Sequence, residues 1–328
     1  MKTTRREYLA GLGLLGLAAL EQNASRAAGT RWPPATTCPF RLAVINDEIT
    51  QDFEQACSIA TKDFGLHWIE LRSMWNKNVT ELNSKEIDDA RKILAAHDLK
   101  VTDIASPLYK TDWPGAPRSS QSEKRDQFGA NFDADAQERL LDHCIELAGA
   151  FGTDRIRCFD FWRLDDQKPY RAAINAKLAD AADRCAKSGI ILLLENEMSC
   201  NTATGDEAAA VLAAIPHKNL MLNWDPGNAA AIGVYPYSKG YDLLPKNRIG
   251  HCHAKDVVRK PDNKGYDWAP VGAGLVDWTD QFEALARDHY SFAVSLETHW
   301  RGAGTPEAST RISMDGLKKT LSAANVSC

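Results

Sequence analysis

Residues 190–197 read IILLLENE: five apolar side chains run straight into Glu195, Asn196 and Glu197. No polar residue interrupts the apolar part, so both of its faces are buried, and so short a run suits a strand better than a helix. A strand buried on both faces belongs to a parallel sheet covered by helices. The two glutamates then mark its C-terminal end, and they share a face because side chains two apart in a strand do.

The pattern repeats along the chain. Strand-like runs occur at 40–47 (FRLAVIND), 67–73 (HWIELRS), 100–107 (KVTDIASP), 155–161 (RIRCFDF), 219–228 (NLMLNWDPGN), 248–256 (RIGHCHAKD) and 291–299 (SFAVSLETH). Between them, 52–65, 84–98, 134–152 and 172–189 carry the three-to-four-residue periodicity of amphipathic helices, and 306–324 closes the chain. A long polar loop covers 113–126, and the Gly/Pro/Tyr-rich stretch 225–240 reads mostly as loop. Eight strand–helix units predict a single-domain (β/α)8 TIM barrel over residues 40–328, rather than an open doubly wound sheet. No GxGxxG follows the first strand, which removes the main support for dinucleotide binding.

Residues 1–29 stand apart from the barrel. TRREYL at 4–9 precedes an apolar Gly/Leu/Ala run and then ASRAAG, whose small residues suit cleavage near Ala27 or Ala28. The apolar run is short for a membrane span, and the paired arginines resemble a twin-arginine export signal. The expectation is a cleaved signal over 1–29, a lead-in over 30–39 and a periplasmic protein. Its transient partner is the twin-arginine machinery, and no stable membrane insertion follows cleavage. That route carries folded chains, so a cofactor can be loaded before export.

The net charge of −5 is spread without a basic stripe, which argues against nucleic acid as a partner. Eight cysteines show no CxxC spacing, and Cys57, Cys144 and Cys185 fall in helical segments as small apolar residues. Cys38 and Cys328 flank the barrel and are placed to bridge the termini in an oxidising compartment.

The last four strands each end in a group able to bind a divalent cation: Glu195, Asp225, His253 and Glu297. A strand-end glutamate or a short HxH is ordinarily structural when it stands alone. Four such groups on successive strands, about 4.8 Å apart at one mouth of a barrel, converge on one ion. Alternation puts His251, His253 and Lys255 on the inner face, with His251 deeper as a supporting or substrate contact. Three carboxylates and one imidazole form a hard donor set that favours Mn²⁺, Mg²⁺ or Co²⁺ and also accepts Zn²⁺.

The segments LLLENE, NWDPGN, HCHAKD and SLETHW, with GLHWIELRS at the second strand, resemble the sugar phosphate isomerase/epimerase family, the xylose isomerase-like TIM barrels. The resemblance covers essentially the whole chain beyond the signal. It implies one divalent metal, Mn²⁺ foremost, held by Glu195, Asp225, His253 and Glu297. In the ketose 3-epimerases of this group the two metal-bound glutamates also exchange the substrate proton, a role it assigns here to Glu195 and Glu297. It implies a sugar contact at Arg259, six residues after the metal histidine. Those enzymes have a substrate-binding histidine three residues after the metal aspartate, where this chain has Asn228. That departure weakens a simple ketose 3-epimerase assignment.

Such a site suits proton abstraction next to a carbonyl, with the cation stabilising the enediolate and carboxylates moving the proton. Lys255 reads as a hydroxyl or oxyanion contact, or as a salt bridge to Asp256 or Glu297. Glu70 and Glu48, at the ends of the second and first strands, read as contacts to sugar hydroxyls. Trp113, Trp162 and Trp268 fall in expected mouth loops, where rings stack on sugars. The expected export and the lack of a phosphate cradle point to a non-phosphorylated sugar or keto-sugar. The alternative enzyme is a lyase that eliminates the aglycone from a keto-glycoside. A non-catalytic sugar-binding barrel is the alternative of another class, and it would be expected to have lost part of the ligand set. The zinc-dependent abasic-site nucleases of this superfold need more histidines and a basic surface.

Overall fold

The computed structural model describes residues 38–120 and 132–328. The expected signal, most of the lead-in and part of the 113–126 loop lie outside those residues. Eight strands form one sheet: β1 (Arg41–Val44), β2 (Trp68–Leu71), β3 (Lys100–Ile104), β4 (Arg155–Cys158), β5 (Ile191–Glu195), β6 (Leu220–Trp224), β7 (Ile249–Ala254) and β8 (Ala293–Leu296). Their order is β1-β8-β7-β6-β5-β4-β3-β2, and every ladder is parallel. A parallel bridge between Ile45 and Glu70 joins the ends of that order, so the sheet wraps into a nearly closed barrel.

Each strand leads to a helix: α1 (Phe53–Ser58), α2 (Ser84–Ala96), α3 (Gln137–Phe151), α4 (Arg171–Lys187), α5 (Gly205–Ala214), α6 (Pro226–Ala231), α7 (Trp278–Arg287) and α8 (Pro306–Ala323). Side-chain caps fix several starts. Asn83 and Glu86 form a reciprocal capping box on α2, and Thr204, Asp277 and Thr305 cap α5, α7 and α8. This is the (β/α)8 barrel that the sequence predicts. None of the helices among the described residues is long and apolar enough to cross a membrane.

The main apolar core lies between sheet and helices. Leu192, Leu194, Leu222, Cys252, Val294 and Leu296 point outward into it. The inner face is polar, with Glu70, Asp103, Arg157, Asn223, His251 and His253 all buried. Strand alternation gives this division except at two bulges. In β3, Val101 and Ile104 both face the helices although they are three apart, where the β2–β3 register shifts. Ile249 faces the helices although His251 faces inward, because the β6–β7 register slips at Gly250, where a Cβ would meet Leu193 and Met221.

Details differ from the sequence reading where local bonding intervenes. The first strand stops at Val44, and Asn46–Ile49 turns into a helical turn that carries Asp47 and Glu48. Helix α1 passes into a π-helical turn at Ile59–Asp63, and the segment closes at Gly65, which adopts φ +70°. The 225–240 stretch begins with the short α6 and continues as irregular turns. Beyond Ala254 the chain forms an unforeseen hairpin, Asp256–Arg259 with Tyr266–Ala269. Buried Asp256 holds its base by accepting the N–H groups of Val257, Gly272, Gly274 and Val276. Cys38 and Cys328 are joined in a disulfide, which ties the start of β1 to the end of α8.

Candidate metal centre

Asp225 shows how the fold builds the site. It follows β6 directly and caps α6, accepting the Asn228 N–H on Oδ1 at 2.9 Å. Its Oδ2 is left facing the barrel axis, 2.8 Å from Lys255 Nζ. Glu195 ends β5, His253 lies in β7, and Glu297 follows β8. One donor atom from each of these four residues lies within 4.8 Å of the other three, and all four side chains are buried. His253 Nδ1 is 3.1 Å from Glu297 Oε2, 3.5 Å from Glu195 Oε1 and 3.8 Å from Asp225 Oδ2.

The donor set fits a hard divalent cation. Asp225 Oδ2 and Glu297 Oε2 are buried and accept no aligned hydrogen bond, although Lys255 Nζ stands at ionic distance from both. Buried carboxylate oxygens left so are the atoms a metal satisfies.

Two arginines that sequence reasoning missed stand against the outer oxygens of the two glutamates, Arg72 by a hydrogen bond and Arg157 at ionic distance from Glu195 Oε2, which accepts no aligned hydrogen bond. Arg157 Nη1 is 3.2 Å from Glu195 Oε2, and Arg72 donates from Nη1 to Glu297 Oε1 at 2.6 Å. Arg72 also binds Glu48 at 2.7 Å and Asp47 at 3.0 Å, and its side chain is only 1% exposed. The sequence signals were an arginine just past the end of β2 and two arginines a residue apart in β4.

The electrostatics follow. Burial pushes the Glu195 carboxyl up, but His253 and Arg157 outweigh it and hold the pKa at about 2. Burial opposes ionisation of Glu297 too, yet Lys255, His299 and His253 hold it well below the usual range. Burial disfavours a charged His253, but Glu70, Glu297 and Glu195 together raise it well above the usual value. Asp47 goes the other way: burial outweighs Arg72 and lifts it to about 6.

The remaining expected residues take distinct places. Lys255 makes the anticipated ion pair with Glu297, at 2.5 Å, and none with Asp256. Asn228 is buried, with its amide spanning Glu195 Oε1 (3.1 Å) and Lys255 Nζ (3.3 Å). Glu70 and His251 are fully buried beneath His253 and bonded to each other at 3.1 Å. Glu48 takes Arg72, Arg301 and the His299 N–H. Arg259 is exposed on the hairpin, with its guanidinium over the Tyr266 ring. Trp268 lies over the site, its ring 5.1 Å from Lys255 Nζ and 5.2 Å from the His299 ring. Trp113 packs edge-on against Phe161, and Trp162 is buried near Lys110.

A barrel of this form has structural counterparts among known proteins. The chain belongs to the xylose isomerase-like TIM barrel family, which matches residues 59–320. No curated protein matches it. Among solved structures it is similar to a xylose isomerase-like TIM barrel protein from Mycobacterium smegmatis in complex with magnesium. The two are 17% identical over 89% of this chain and 100% of that one, with a TM-score of 0.63. An IOLI protein with a bound zinc atom is 16% identical over 87% and 98%, with a TM-score of 0.66. D-psicose 3-epimerase with D-tagatose, from Clostridium cellulolyticum H10, is 13% identical over 88% and 100%, with a TM-score of 0.61. Likeness at these identities is likeness of fold.

Proposed function

We propose that the chain is a divalent-metal-dependent sugar isomerase or epimerase that moves a proton on the carbon next to a carbonyl. Its substrate is a non-phosphorylated sugar or keto-sugar, and Mn²⁺ is its cation. The observation that carries this reading is the convergence of Glu195, Asp225, His253 and Glu297, with both glutamates anchored by arginines. The similarity in fold to a 3-epimerase supports it.

A bound divalent cation supplies the electrophile that acidifies a carbon next to a substrate carbonyl. Glu195 and Glu297 remove and return the proton. Arg157 and Arg72 hold one oxygen of each and leave the other facing the shared space. Glu195, held at about 2, and Glu297, held well below its usual range, are both ionised, the form in which a carboxylate accepts a proton. Lys255 offers a donor to a hydroxyl or developing oxyanion, and Trp268 gives an apolar surface for the sugar's C–H face.

The proposed setting is the periplasm, reached by twin-arginine export. The Cys38–Cys328 bond supports an oxidising compartment, while Cys57, Cys144, Cys158, Cys185, Cys200 and Cys252 are free and buried. A chain that folds before export keeps those thiols out of reach of oxidants.

The test is proton exchange in deuterated water, with Mn²⁺-loaded protein and a panel of keto-sugars and keto-glycosides. Deuterium incorporation at an inverted stereocentre identifies an epimerase, and release of an aglycone identifies the lyase instead. Glu297→Gln should abolish exchange while the far-UV spectrum is kept. Absence of exchange across the panel with metal bound rejects the proposal.

A further inference from the structure

Beneath the four-ligand group lies a second set of titratable side chains. Glu70 Oε1 is 3.1 Å from His253 Nε2, and Glu70 Oε2 is 3.1 Å from His251 Nε2. Asp103 Oδ1 lies 3.5 Å from His251 Nδ1, beyond hydrogen-bond length, and the Asn223 side-chain amide lies 3.1 Å from His253 Nε2, where a half-turn presents its otherwise unpartnered oxygen to an Nε2–H. Glu70, Asp103, His251 and His253 have no exposed surface.

We propose that Glu70 is a positioning residue for the metal centre: its carboxylate accepts Nε2–H from His253 and from His251 at once, and thereby presents His253 Nδ1 to the cation. The proposal rests on the reading of His253 as a metal ligand, and it deepens that reading by naming the ligating atom.

The argument is one of donors and acceptors. An ionised carboxylate only accepts, so each imidazole nitrogen bonded to it carries the hydrogen. A neutral His253 with its hydrogen on Nε2 has its lone pair on Nδ1, the atom that faces Glu195, Asp225 and Glu297. Had the hydrogen sat on Nδ1, it would point into the space between the three acidic ligands and exclude a metal. His251 completes the device by holding the second oxygen of Glu70, so the carboxylate cannot turn away from His253. A carboxylate that fixes the far nitrogen of a metal-bound histidine is a recurring arrangement, and it raises the affinity of the ligand it orients.

The backbone is shaped to bring these groups together. The β2–β3 register shifts between Ile69 and Leu71, on either side of Glu70, and the β6–β7 register shifts next to His251. Such bulges re-aim side chains that a regular ladder would place elsewhere. Glu70 and His251 are 181 residues apart in sequence and meet only across the barrel's interior. The same three side chains also satisfy the distance requirement for a cation of their own. Each Glu70 oxygen, however, pairs with its own nitrogen at hydrogen-bond length, which two N–H donors satisfy completely.

The test uses the full folded protein with ¹⁵N-labelled histidine and Zn²⁺ as a diamagnetic probe. The His253 ring is assigned by the signal lost in His253→Gln. Two-bond ¹H–¹⁵N correlation should show Nε2 protonated with and without zinc, and Nδ1 shifting as the zinc-bound nitrogen. Zinc on Nε2, or a second equivalent taken up by this trio, overturns the proposal while leaving a metal centre in place. No zinc uptake at all sinks the metal reading itself. As a second arm, Glu70→Gln can accept from only one imidazole, so Zn²⁺ affinity should fall about 10- to 100-fold with one ion per chain still bound. Unchanged affinity in that variant counts against the proposal, and the wild-type spectrum decides the matter if the variant does not fold.

Discussion

Lys255 Nζ lies 2.5 Å from Glu297 Oε2, closer than any other cationic group to the oxygen expected to hold a metal. It also lies 2.8 Å from Asp225 Oδ2. The ammonium therefore acts as a counter-ion to the acidic centre, and an incoming cation must compete with it. Replacing Lys255 with Met removes the competitor and the repulsion between like charges. Mn²⁺ should bind Lys255→Met about tenfold more tightly, as read by calorimetric titration, while turnover falls. Weaker binding in the variant would mean that Lys255 helps to build the site rather than competing for it.

A pH dependence follows from His253. Its folded-state pKa is raised by Glu70, Glu297 and Glu195 against the effect of burial, so near neutrality the metal-free imidazole holds a proton. A metal requires the neutral ring, so binding expels that proton. Affinity should therefore increase with pH, by up to about tenfold per unit, while pH remains below the folded pKa of His253. Calorimetry in buffers of differing ionisation enthalpy measures the released proton directly. Affinity that is flat between about pH 6 and 8 contradicts the assignment.

Arg72 is the residue whose loss should cost the fold most. Its guanidinium meets Asp47, Glu48 and Glu297 with almost no exposure, and removing it strands the buried Asp47 carboxylate and takes one cationic partner each from Glu48 and Glu297. Arg72→Met should lower the free energy of unfolding by about 3–5 kcal/mol in urea titrations, with part of the loss relieved as Asp47 takes up a proton. Arg72→Lys should recover little, because a single ammonium does not reproduce the fork. A loss below about 1 kcal/mol would show that the cluster relaxes freely.

The disulfide should stabilise the barrel without touching its chemistry. Cys38 and Cys328 are 290 residues apart and lie at the end of the barrel remote from the four ligands. Reduction should reduce stability by about 2–4 kcal/mol and leave the metal stoichiometry unchanged. Loss of metal on reduction would tie the two ends of the barrel together in a way the packing does not suggest.

The sequence made the two glutamates visible because each follows an apolar run that has no other reason to end in a charge. Glu195 closes IILLL, and Glu297 closes the run through Val294 and Leu296. Alternation was enough to turn His251, His253 and Lys255 to one side. Glu70 was visible as a strand-end acid but read as a sugar contact. Its partnership with His251 depends on which strands face each other across the barrel and on the bulge at Gly250, and neither has a signature within a short window. Arg72 and Arg157 were hidden for the same reason, since their partners sit on strands remote in sequence. The hairpin after β7 escaped because its two short strands are joined by 260–265, which lack a two-residue turn motif.

The most direct test of the central claim is the position and number of the metal ions in crystals grown with Mn²⁺, read from anomalous scattering near the manganese edge. One peak per chain, bounded by Glu195, Asp225, His253 Nδ1 and Glu297, is the expected result. A peak elsewhere, or none at that point in protein that retains activity, contradicts it.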